Sequence, residues 1–368
     1  MLPGCRGPQA LAAPILPLPL ASVPWPMPPN RRPPALGLAF SLTPPCPQRR
    51  LGGLTVRPDV LDFTSPPGRR MPAANMRIPA MPTRFSRAFR LAVLLLVALA
   101  APATAQTLSA KASRDLAVMA TAYPGLMTAI EVDGAGRAAV VLNDGTRLPY
   151  DDGRAKSPEE LLDHPDIKDM LAEPYPLGPV TAEPPLGFSP GRRRVEPLFL
   201  ALYGHDKQQV TANCRPVAFL GQTMAFNTRY GAADAFARAT ARLGQLVAAD
   251  PSLRRYLLPA SGGVVWRVIA GTRRLSVHSF AAAVDVSPKG NPYWRNLPRG
   301  TNMLATRQAF PAAIVAAFEA EGFIWGGKWS EFDLMHFEYR PELILLARLA
   351  RGENLPLADI RGLVRAVR

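Results

Sequence analysis

Ser276-Val277-His278, Asp285 and the tetrad Asp333-Leu334-Met335-His336 are the residues of this chain whose types and spacing could do chemistry. Two imidazoles and a carboxylate give a zinc ion three ligands and leave one tetrahedral position open, which a catalytic rather than a closed structural site requires. Asp333, three residues ahead of the second histidine, is then a natural general base for a zinc-bound water. The chain has only four histidines, His164, His205, His278 and His336, so two of them falling into this pattern carries weight. Each residue also has a plainer reading. A lone histidine is more often satisfied by its neighbours than by a metal, and Asp333 or Ser276 could simply form a turn.

The surrounding residues are more specific. Ser276-x-His278-x4-Ala283-x-Asp285, then Gly326-Gly327-Lys328-Trp329 and Asp333-x-x-His336-Phe337-Glu338, resembles the zinc D-alanyl-D-alanine carboxypeptidase and L-alanyl-D-glutamate peptidase family over about residues 225 to 342. The resemblance implies an exported hydrolase that cuts the stem peptides of peptidoglycan, as a carboxypeptidase or as an endopeptidase. It implies one Zn2+ per chain held by His278, Asp285 and His336, with Asp333 as general base. By analogy with an arginine upstream of the first ligand, it also suggests Arg267 as the cation that meets the developing oxyanion. Arg273 and Arg274 compete for that role. One departure is visible: Ala281 stands where the family pattern has glycine, which puts the local loop geometry in doubt more than the ligands. Glu338, two residues past His336 on an expected strand, shares its face and could orient it, or could be an ordinary solvated glutamate.

Competing chemistries lack their signatures. No Ser-x-x-Lys, His-Glu-x-x-His or phosphate-binding Gly-x4-Gly-Lys-Ser/Thr occurs, which argues against a serine D,D-carboxypeptidase and nucleotide binding, and the one Gly-x-Ser-x-Gly, Gly187-Phe188-Ser189-Pro190-Gly191, lies in proline-rich text rather than on a strand-to-helix turn. The alternative from another class is a non-catalytic, zinc-containing cell-wall binding module on the same fold. Such a module has no use for a carboxylate at position 333.

Composition divides the chain before any domain is assigned. The first 70 residues hold 17 of the 41 prolines, and proline removes an amide donor and fixes φ, so residues 1–75 read as a disordered leader or a start codon placed too early. Residues 76–105 carry Arg84, Arg87 and Arg90, the apolar run Leu91–Ala100 and Ala103-Thr104-Ala105. A basic stem, apolar core and small-x-small site together describe a signal peptide, too short for a comfortable membrane span. Residues 1–105 contribute 12 Lys+Arg against 2 Asp+Glu, or +10 of the net +15, leaving +5 beyond them. The apparent polycation is therefore mostly leader, and a nucleic-acid partner loses its support. Of the three cysteines only Cys214 follows the leader, so it has no internal disulfide partner and reads as a small buried hydrophobe. Oligomeric state is not legible.

The elements that must position the site suggest an α+β fold, a small antiparallel sheet flanked by helices and carrying a mononuclear zinc site. Residues 106–190 read as an accessory β/α subdomain. Its apolar alternation near Ile130 and Val140 is broken by Asp133-Gly134 and Asn143-Asp144-Gly145, and Ser157-Pro158-Glu159-Glu160 is a capping box. Residues 191–368 read as the peptidase domain, with a helix over 232–249, a strand over Val264–Ile269, a helix over 310–320 and a strand over 335–339 ended by Pro341. Trp325 and Trp329 could line a cleft, although core packing is the commoner fate. The stretch Leu357–Arg368 has the spacing of a short amphipathic helix packed on the domain.

Overall fold

A computed structural model describes residues 107–367. The proline-rich segment 1–75 and the signal peptide expected at 76–105 lie outside the described residues.

Chain order explains much of the layout. Helix α1 (Ala110–Ala122) starts where Ser109 accepts a hydrogen bond from the Ala112 amide. It leads into the meander β1 (Met127–Val132), β2 (Ala138–Leu142) and β3 (Arg147–Pro149), antiparallel throughout, with turns at the expected Asp-Gly signals. The short helices α2 (Pro158–Asp163) and α3 (Ile167–Met170) each open on a capping box, from Ser157 with Glu160 and from Asp166 with Asp169. After a proline-rich wrap come α4 (Glu196–Tyr203), α5 (Lys207–Ala212), the hairpin β4 (Cys214–Phe219) and β5 (Gln222–Asn227), and the long helix α6 (Ala232–Ala249). Phe236 of α6 stacks between Phe226 and Phe219 of the hairpin, at 4.3 and 5.4 Å between ring centres. That seam fastens the helix to the sheet, as its 3.6-residue apolar period requires.

The sheet that matters for chemistry comes last. Helix α7 (Arg254–Leu257) precedes β6 (Ser261–Gly262) and β7 (Ala283–Asp285). Helices α8 (Met303–Gln308) and α9 (Ala312–Glu319) lead to β8 (Phe323–Trp325), β9 (His336–Tyr339) and α10 (Pro341–Ala350). These strands form an antiparallel sheet in the order β6-β7-β9-β8. Phe337 of β9 turns into the core, stacked on Phe318 of α9 at 4.0 Å. With a period of two, His336 and Glu338 must then face the other way. The architecture is mixed α+β, with small sheets and packed helices.

Two expected elements are absent. Val264–Ile269 is extended but not a strand: it folds back on its own continuation through a single bridge, Val268 to Leu275, with Ser276 N donating to Arg267 O. The edge of β7 that it would need is already taken by β6, and Val265 and Val268 stay 42% and 51% exposed. Its β-branched composition fitted a strand, but its only partner is the short returning segment 274–278, and one bridge does not make a ladder. The C-terminal stretch is likewise not a helix. It makes one 3-10 turn at Arg361–Leu363 and then β10 (Val364–Ala366), which adds in parallel to the free edge of β1. Gly362 weakens the helix, and an unpaired strand edge offers Val364 a ladder instead.

Residues 107–190 share a core with residues 191–367. One apolar cluster runs from Leu116 and Ile130 through Phe236 to Phe337 and Leu343. Tyr175 donates to Glu319, and Trp329 Nε1 donates to Pro190 O. Among the described residues no helix is long and apolar enough to cross a membrane.

Candidate metal centre

The fold brings His278, Asp285 and His336 together. Asp285 and His336 are direct partners across the β7–β9 ladder, and such cross-strand neighbours present their side chains on one face. His278 arrives on the 3-10 turn Val277–Phe280, which reverses into β7 through Ala281 at φ 51, ψ 39. Asn227 clamps that reversal: its amide donates to Ala281 O, and its side-chain Nδ2 donates to Phe280 O and Tyr203 O.

The donor atoms are spaced as a small cation would space them. His278 Nε2 lies 3.3 Å from His336 Nδ1 and 3.2 Å from Asp285 Oδ2, while His336 Nδ1 lies 3.0 Å from Asp285 Oδ1. Ligands at about 2.1 Å around a tetrahedral zinc stand about 3.4 Å apart. Protons satisfy this triangle poorly. If both imidazoles donate to Asp285, two N–H groups face each other, and His336 needs a second proton for Glu338, 3.1 Å from its Nε2. A cation shared by the three inner atoms removes the conflict and leaves that outer hydrogen bond intact. The donor set, two nitrogens and one carboxylate, suits zinc.

The surrounding charges are coupled. Burial opposes ionisation of Asp285, but hydrogen bonds from His278 and His336 outweigh it and hold the carboxyl well below the usual range. Burial likewise opposes charge on His336, yet hydrogen bonds to Asp285 and Glu338 carry it up to about 10. Glu338, fully buried, is pulled down to about 2 because His336, Arg194 and Arg340 overcome its desolvation. Asp333 shifts the other way. Burial and then the charge of Asp285 raise it, against the opposing pull of His336, the Met335 amide and Arg192. Two carboxylates of one site are thus pushed apart, one towards permanent charge and one towards proton exchange.

Asp333 is held by its backbone. Its amide donates to Gly326 O, and Trp325 Nε1 donates to Leu334 O. A Cβ on Gly326 would stand 2.7 Å from Asp333 O, and one on Gly327 would stand 2.2 Å from the Trp325 ring, so this close approach requires the glycine pair. Of the two tryptophans, Trp325 packs in the core on Phe310. Trp329 lies against the site, 5.4 Å from the His336 ring.

The remaining expected residues are placed less centrally. Arg267 is exposed, and among the described residues its side chain makes no hydrogen bond or ion pair. Its backbone, however, is bonded to Ser276 and Ser279, which flank His278 on its turn. Arg273 is exposed, and Arg274 pairs with Asp163 at 3.0 Å. His205 pairs with Asp144, away from the centre, and His164 caps α2. Sequence reasoning passed over Arg192 and Arg194, in the Gly191-Arg192-Arg193-Arg194 run. Arg192 covers the Trp329 ring at 4.9 Å, and Arg194 lies 3.5 Å from Glu338. Three consecutive arginines leaving a proline-rich stretch were the available signal.

Residues 270–339 match the family model described as D-alanyl-D-alanine carboxypeptidase. The family recognised from the motifs is thus the one whose model the chain matches, over a stretch that contains His278, Asp285, Asp333 and His336. The description is that of a peptidase family, whose chemistry is the hydrolysis of a peptide bond. No curated protein and no solved structure matches the chain.

Proposed function

We propose that the chain is an exported zinc metallopeptidase that hydrolyses amide bonds in peptidoglycan stem peptides. Removal of a terminal D-alanine is the form that the family description favours. The observation that carries this reading is the convergence of His278 Nε2, Asp285 Oδ and His336 Nδ1 within 3.3 Å of one another, with Asp333 three residues before the last of them.

Bound by those three donors, zinc would acidify a water and polarise the scissile carbonyl. Asp333 accepts the proton of the attacking water and returns it to the leaving amine. Its raised affinity for protons suits both halves of that transfer. Asp285 stays ionised throughout and holds the two imidazoles in place. Arg267 is our choice for the cation that meets the oxyanion, its main chain braced to the turn that carries His278. Arg192, which acts on Asp333 and stacks on Trp329, is its competitor. Trp329 forms an apolar wall beside His336. The signal-peptide pattern at 76–105 supports export.

Asp333 separates this reading from a binding module. Zinc content by atomic absorption and release of D-alanine from a muropeptide are measured for the parent and for Asp333→Ala. The expected result is one zinc in both and hydrolysis reduced at least ~100-fold in the variant. Zinc in both proteins with hydrolysis by neither would favour the module.

A further inference from the structure

Behind His336 runs a buried chain of alternating charges that leaves the metal centre and ends on the first described helix. His336 Nε2 meets Glu338 Oε2 at 3.1 Å. Glu338 Oε1 accepts from Arg340 Nη1 at 3.1 Å, and Arg340 Nε donates to Glu342 Oε1 at 2.5 Å. Glu342 Oε2 then accepts from the hydroxyl of Tyr123, the residue that ends α1. Glu338, Arg340 and Glu342 are 0% exposed and Tyr123 is 1% exposed. His336 and Glu338 share one side of β9 because a strand alternates its side chains, and Arg340 and Glu342 continue the row from the N-cap and first turn of α10.

Burying three full charges in a row is costly unless each is held by its neighbours. A plain apolar core would have sufficed to pack α1 against α10. What the row accomplishes is directional. Glu338 can fix His336 with Nδ1 turned inward only if Glu338 itself cannot rotate, and its other oxygen is held by Arg340. Arg340 is fixed in turn by Glu342 and by Gly191 O, and Glu342 has its second oxygen occupied by Tyr123. A ligand's outer hydrogen-bond partner sets its orientation and basicity.

We propose that α1 is a working part of the metal centre. Tyr123 is a positioning residue for His336, acting through Glu342, Arg340 and Glu338. The proposal rests on the reading of His336 as a zinc ligand. Tyr123, Arg340 and Glu342 all lie outside the stretch 270–339 that matches the peptidase family, so this support is supplied by the rest of the chain.

The test uses the full chain with 15N-labelled histidine. Zinc affinity is measured by competition with a chromophoric chelator, and the His336 Nε2–H resonance is followed for its shift and its exchange with water. Tyr175→Phe serves as the control, because Tyr175 is an equally buried tyrosine that donates to a buried glutamate, Glu319, off this row. Glu338→Gln is expected to weaken zinc ~10- to 100-fold and Tyr123→Phe by up to ~10-fold. Both should speed exchange of the His336 proton, and Tyr175→Phe should do neither. If Tyr123→Phe does not fold, Glu342→Gln is measured in its place. A Tyr123→Phe or Glu342→Gln protein that behaves like Tyr175→Phe in both measurements overturns the proposal. If the parent takes up no zinc, the metal reading falls, and the ring proton still decides whether Tyr123 acts on His336.

Discussion

Two groups of side chains among the described residues bring three possible metal donors within 4.8 Å, and they have opposite characters. One is His278, Asp285 and His336. The other is Asp151, Asp152 and Asp166, beside α3. In the second, the chain supplies its own cation: Lys156 Nζ lies 2.9 Å from Asp152, 3.1 Å from Asp166 and 2.6 Å from Asp169. With its side chain only 1% exposed, that ammonium fills the space an ion would need. In the first group no lysine or arginine of the described residues enters the triangle. Arg194 and Arg340 stand behind Glu338 instead, on the far side of His336. A cluster of acids is a metal site only where the protein has withheld its own positive charge, and proximity alone does not distinguish the two.

The comparison is broken most directly by removing a donor from each group. His336→Ala should drop zinc from one per chain to none and abolish hydrolysis, while Asp152→Asn should leave both unchanged; atomic absorption with a muropeptide assay reads the pair. Loss of zinc in Asp152→Asn would mean that the two groups had been told apart wrongly.

Removing the internal cation is the next largest effect. Lys156→Ala leaves Asp166 and its neighbours unpaired and should cost about 3 kcal/mol of stability at neutral pH in a denaturant melt. The sign with pH is set by the carboxylates. In the parent, Asp152 is held below its ordinary value because, although burial opposes its charge, the Arg154 amide and Lys156 outweigh it. Its contribution is therefore present at neutral pH and lost as pH falls through the lowered folded value. The variant lacks the part of that contribution that comes from Lys156, so the gap between the two proteins should narrow below about pH 4 as the acids protonate.

The smallest effect sharpens the first site. Ala281 holds a left-handed conformation that glycine adopts without penalty, at a cost of about 1 kcal/mol for a residue with a Cβ. Ala281→Gly should raise the thermal midpoint by roughly 2–4 °C at most, with zinc content unchanged. A lowered midpoint would show that the Ala281 methyl, fully buried, contributes more by packing than its backbone loses.

What was legible in the sequence was local or alternating. The capping box at Ser157, the apolar face of α6 and the pairing of His336 with Glu338 on one side of a strand each depend on residues a few positions apart. The candidate metal residues were legible because histidine is rare here and the order of the motifs resembles that of a known family. Ala281 stands out as a departure from that family's pattern, and its positive φ supplies the physical reason glycine is usual there. The rest depended on partners distant in the chain. Nothing near Tyr123 announces Glu342, and nothing near Arg194 announces Glu338. Val264–Ile269 had the composition of a strand but only its own continuation to pair with, and the tail had the period of a helix beside a vacant strand edge.

That tail has a consequence for how the molecule comes together. Val364 sits beside Ile130, so a strand near the end of the described residues finishes a sheet begun more than 230 residues earlier. The sheet cannot be completed until nearly all of the chain is available. Removing residues 364–366 would leave β1 with an open edge on which copies could join.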